Sequence, residues 1–151
     1  MTIITVGELL DRVQDFEARL DAYYAKIRDC SKDNSVRLLT YYLSRHRRHQ
    51  AIALEGLSSK ILKKIRKIEL QFEVPFDTTA ERRLPKFKSE TVRSDRLIET
   101  AIRHDGTRVS LYRSILAQPL PDDACAVLDA LVRLEERDMV MLKKMLAMRY
   151  F

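Results

Sequence analysis

Apolar residues recur at alternating steps of three and four along four stretches of the chain, the spacing that keeps one face of an α-helix turned inward. The first seam is Val6, Leu10, Val13, Glu17, Leu20, Tyr24 and Ile27, widened by Leu9, Phe16 and Tyr23. The second is Val36, Leu39, Leu43, His46, Gln50, Ala53 and Leu57, with His49 also turned inward. Ser94, Ile98, Ala101, Asp105, Arg108, Tyr112 and Ile115 form the third; Ala124, Leu128, Leu131, Glu135, Asp138, Leu142 and Met145 form the fourth. These seams predict helices near 6–29, 33–58, 89–117 and 122–149 in one all-α domain spanning 1–151.

The residues between the seams punctuate them. Thr5-Val6-Gly7-Glu8 reads as a capping box, in which a hydroxyl and a carboxylate satisfy free amides of a first turn. Ser31-Lys32-Asp33-Asn34 is a polar break rich in N-cap residues, long enough only for a turn to an antiparallel neighbour. Gly56, followed by Ser58-Ser59, ends or bends the second helix. Ser89 is placed to cap the third, and Pro121 with Asp122 and Asp123 suits the start of the fourth. Gly106 costs about 1 kcal/mol relative to Ala inside a helix, so it marks a bend or a close helix approach. Between the second and third helices lies the one long connection, 59–88, an amphipathic basic segment (Ile61, Leu62, Ile65, Ile68 and Phe72) followed by Pro75 and Pro85, which cannot continue a helix.

Composition adds limits. Only three glycines and four prolines in 151 residues fit a helical chain with few turns. The net charge of +6 is concentrated: 60–88 holds nine basic against four acidic residues, an excess of five. A chain coated for nucleic acid is therefore not expected, and the basic connection reads first as a solvated segment whose apolar side packs on the helices or on a partner. No run approaches the roughly 18 apolar residues of a membrane span, and Met1-Thr2-Ile3-Ile4-Thr5 lacks the features of a secretory signal, so a cytoplasmic location is the expectation. Cys30 and Cys125 are isolated, in neither a CxxC nor a zinc spacing, so neither a disulfide framework nor a thiolate metal site is expected. No phosphate loop, nucleophile elbow or zinc-finger spacing appears.

Each seam is interrupted near its midpoint by ionisable residues: Glu17, His46 with His49, Asp105, and Glu135 with Asp138. Helices of similar length meet there at one depth, and buried charges must be neutral, paired or on a metal. Four carboxylates and two imidazoles suit one or two ions of iron, manganese or zinc. The alternative is a set of internal hydrogen bonds and ion pairs with no metal. His104, off the seam beside Asp105, reads as a flank or surface residue. Tyr24 and Tyr112 read as core-edge residues, and the methionines from Met139 to Met148 as fillers of bundle gaps or of an interface.

On these residues the chain resembles the ferritin-like superfamily, particularly its rubrerythrin-like members, whose bundles take one Glu from each of two helices and a Glu-x-x-His pair from each of the other two. Glu17, seven residues before Tyr24, and Asp105, seven before Tyr112, stand where the single acids belong. The resemblance implies a four-helix bundle with one long crossover between helices 2 and 3. It also implies a metal-dependent oxidoreductase with Glu17, His46, His49, Asp105, Glu135 and Asp138 as ligands. The pairs depart from the family: His46-x-x-His49 puts an imidazole where a bridging carboxylate belongs, and Glu135-x-x-Asp138 puts a carboxylate where a His belongs. The second functional reading is a non-catalytic interaction or oligomerisation module with a degenerate site. A homodimer is the expected assembly, and nucleic-acid binding is the remotest alternative.

Overall fold

Thr2, Ile3, Ile4 and Thr5 are β-branched, stiff at χ1 and better suited to a pleated strand than to a helix. In the computed structural model, which describes residues 2–45, 49–72 and 92–148, they form strand β1 (Thr2–Thr5). It pairs antiparallel with β2 (Glu69–Phe72), Thr2 opposite Phe72, Ile3 opposite Gln71, Ile4 opposite Leu70 and Thr5 opposite Glu69. Period-two alternation turns Ile4 and Leu70 into the core and leaves Ile3 exposed. Gln118 clasps the outer side of β2, accepting from the Gln71 amide at 3.0 Å and donating to its carbonyl at 2.7 Å. A side-chain amide thus satisfies an edge position that would otherwise be open to another strand.

Helix α1 (Val6–Cys30) starts where β1 stops. Thr5 Oγ1 accepts from the Glu8 amide at 3.1 Å, the expected cap. Gly7 lets α1 pack tightly on the backbone at Arg66, because a Cβ there would stand 3.0 Å from the Arg66 carbonyl oxygen and push it back by a few tenths of an ångström. In the polar break, Asp33 Oδ1 accepts from the Ser35 amide at 2.8 Å and caps α2 (Asn34–Arg45), and the Arg37 guanidinium donates to the Arg28 carbonyl at 2.9 Å. The second predicted helix, 33–58, is described as two pieces, α2 and α3 (His49–Leu54), and ends at Gly56 with φ of 83°.

The connection expected over 59–88 is ordered structure in its first part. Ser58 Oγ accepts from the Ile61 amide at 3.2 Å to cap α4 (Ser59–Arg66), and β2 follows. Both form because their apolar residues reach the chain's own core: Ile65 is 1% exposed and Leu70 fully buried. Helix α5 (Ser94–Leu116) begins later than the expected 89, and Ser89 lies outside the described residues. It runs unbroken through Gly106, where an added Cβ would make an ordinary 3.5 Å contact with Met139 Cε, so that glycine does not mark an unusually close approach. Helix α6 (Asp122–Met148) follows the short proline turn as predicted.

Two apolar clusters fix the directions of the helices. One joins Val6, Leu9 and Leu10 of α1, Tyr112 and Ile115 of α5, Leu128 and Leu131 of α6, and the strands. The other joins Leu20, Tyr24 and Ile27 of α1, Leu39 and Leu43 of α2, Leu97 and Ile98 of α5, and Leu142 of α6. Thus α1 and α6 run one way, while α5 runs the other; α2 and α3, which pass from the second cluster to the first, run with α5. Cys30 and Cys125, both free, sit at opposite ends. The described fold is mostly helical, and none of its helices is long and apolar enough to cross a membrane.

Candidate functional site

Between the two apolar clusters lies a layer of buried polar side chains. Glu17 enters it from α1, His49 and Gln50 from α3, His104, Asp105 and Arg108 from α5, and Glu135 and Asp138 from α6. The helical step accounts for the grouping: Asp105 and Arg108 are three apart, as are Glu135 and Asp138, so each pair shares one face. Gln50 Nε2 donates to the Leu10 carbonyl at 3.0 Å and ties α3 to α1 at this level.

Arg108 is the hub. Its side chain is 1% exposed, and its Nη2 donates to Asp105 Oδ1 at 2.5 Å. Its Nε and Nη2 reach the two oxygens of Glu135 at 3.0 and 3.4 Å, the forked contact that suits a planar guanidinium. On the other side of Glu135, His49 Nδ1 stands 3.0 Å from Oε1, a close charge contact without the alignment of a good hydrogen bond. Arg108 Nη1 is buried with no acceptor among the described residues.

The electrostatics follow. Burial opposes the charged form of Arg108, but Glu135 and Asp105 overcome it and hold the guanidinium charged more firmly than usual. Burial likewise opposes ionisation of Glu135, yet His49 and Arg108 hold its carboxyl well below the usual carboxylate range. Burial lowers the proton affinity of His49, and Glu135, followed by the more distant fields of Asp138 and Asp105, raises it to a net upward shift. The layer therefore sets an arginine and a histidine against carboxylates that favour the charged form of each.

Of the six candidate ligands, Glu17, His49, Asp105, Glu135 and Asp138 are buried at this level, and His46 lies outside the described residues. At Asp105 and Glu135 a divalent ion would have to compete with a guanidinium already on their oxygens. Among the described residues no three His, Cys, Asp or Glu side chains are grouped as a metal needs. Sequence reasoning placed Arg108 on the third seam but gave its charge no role. The available signal was a cation three residues after an acid within an apolar stripe. His104, expected on the flank, is buried instead, its ring edge-on to Phe16 at 5.3 Å between centroids. Comparison of the chain with family models, curated proteins and solved structures finds no match.

Proposed function

We propose that the chain is a ferritin-like four-helix bundle whose mid-level ligand set is served by an internal cation rather than a metal, and that it acts as a non-catalytic interaction module. Its helices are then α1, α2 with α3, α5 and α6, and the crossover runs from α4 through to Val92. The observation that carries this reading is the position of Arg108, which neutralises Asp105 and Glu135 where a metal-dependent member would need open carboxylate oxygens. A buried guanidinium supplies charge balance and fixed register but no Lewis acid and no redox change.

The rival reading is a metal-dependent oxidoreductase using iron, manganese or zinc. What favours it is the convergence of His49, Asp105, Glu135 and Asp138 on one level. Metal analysis of protein purified without chelator and then incubated with Fe(II), Mn(II) or Zn(II) separates the two. Background metal is expected. A stoichiometric ion that is lost in His49→Ala would establish the rival and overturn the module.

The module reading carries a homodimer, which sedimentation equilibrium tests; a monomer at every concentration removes it. Ile65 and Ile68 are engaged with the chain's own core, which leaves Ile61, 36% exposed, as the apolar residue that α4 offers to a partner.

A further inference from the structure

Where the polar layer reaches the surface between α2–α3 and α6, the chain leaves a groove of about 300 Å³. Its walls include Tyr42, Ile52 and Met141. Ile52 is 53% and Met141 46% exposed, large apolar surfaces that no described element covers. Two exposed arginines, Arg45 and Arg137, also line it, one from each side. Among the described residues neither has a carboxylate partner. The inner lining is His49 and Asp138, both buried.

We propose that this groove binds a small carboxylic acid with an apolar body. Charge complementarity names the head group: two guanidiniums that line one cleft and have no carboxylate partner among the described residues present planar forks that match a carboxylate. Size names the rest, since the volume lies at the lower end of ligand pockets, roughly 300–1,000 Å³, and suits a compact molecule rather than a peptide helix. Among the described lining residues Asp138 is the one acid, and it lies within the field of His49 at the inner side, so an incoming anion is directed outward to the arginines while its apolar end lies along Ile52 and Met141. This inference goes beyond the module reading and does not depend on whether the buried layer takes a metal.

The test is titration of the full chain with decanoate below its micelle concentration, followed by calorimetry and by the methyl resonances of labelled methionines. Saturable one-site binding is expected, with the Met141 methyl shifting and that of Met148 still. Decanol should bind at least tenfold more weakly, and Arg45→Gln/Arg137→Gln should lose tenfold or more in affinity for decanoate. Both arginines are exposed, so the double variant should melt like the parent chain. No saturable binding, equal affinity for decanol, unchanged affinity in the double variant, or shifts spread over all methionines would each overturn the proposal.

Discussion

The two apolar clusters and the charged layer between them are built on the same helices, a turn or two apart, and they hold the chain together in different ways. In the clusters, Leu20, Leu128 and their neighbours contribute in proportion to the area removed from water, and a volume-conserving swap is tolerated. In the layer, Arg108, Asp105 and Glu135 contribute only as a set, because each carries a desolvation cost that its partners must offset. The apolar clusters supply the stability; the layer fixes which turn of α5 faces which turn of α6.

The largest effect should therefore come from removing one member of the set. Arg108→Met leaves two buried carboxylates without their cation and is expected to cost about 3–5 kcal/mol in urea unfolding. Neutralising the acids as well, in Arg108→Met/Asp105→Asn/Glu135→Gln, should recover most of that loss, since a buried ion set is often replaced by neutral groups at little cost. A single variant within about 1 kcal/mol of the parent chain would erase the distinction between layer and clusters. Zinc or manganese sharpens the point. Either ion should raise the melting temperature of Arg108→Met and leave that of the parent unchanged, because in the variant Asp105 and Glu135 no longer hold a guanidinium.

Leu20→Ala and Leu128→Ala probe the clusters one at a time, and each should cost about 2–4 kcal/mol as lost transfer energy plus a cavity. They sit in different clusters. Their effects should add to within about 0.5 kcal/mol. A larger coupling would mean that the layer transmits packing strain and that the two clusters are one.

The layer also makes stability depend on pH, which the apolar clusters do not. Glu135 has a lowered folded pKa, so its contribution is present above its unfolded value, roughly 4.3, and is lost as pH falls through the folded value. His49 has a raised folded pKa, so its contribution is complete below about 6.5 and is lost as pH rises through the folded value. Together they place the layer's best range between about pH 4.5 and 6.5. Thermal melts should show higher stability at pH 6 than at pH 9, and His49→Gln should remove most of that difference. An unchanged profile in the variant would put the pH dependence elsewhere.

Local periodicity explains what could be read from the chain beforehand. The α1 and α6 boundaries and the Thr5 cap follow from seams and capping residues that lie within a turn of what they specify. The pairing of Ile4 with Leu70 does not, because a four-residue strand has no helical period and its partner is far away in sequence. The first half of the 59–88 connection was obscured for the same reason: Ile65 and Ile68 are spaced as an amphipathic segment is, but only the fold reveals that they pack on the chain's own core. At the site, the depth shared by Glu17, His49, Asp105, Glu135 and Asp138 was legible as interruptions of apolar seams. The role of Arg108 was not. A long cation on a seam can reach out to solvent or turn inward, and the choice is made by Glu135 on another helix.

The smallest expected effect gives the comparison its control. Arg66 and Asp11 meet at 2.8 Å, a contact much like that of Arg108 with Asp105 at 2.5 Å, but their side chains are 39% and 57% exposed. Solvent screens such a pair, and holding two long side chains in place uses up much of the attraction. Asp11→Asn should change stability by about 0.5 kcal/mol or less, with the difference vanishing in high salt. Asp105→Asn should cost several times more and keep its effect in salt, because no water or ions reach the buried pair. If the two substitutions cost the same, burial is not what sets the worth of these ion pairs, and the layer has no claim to fixing the register of α5 on α6.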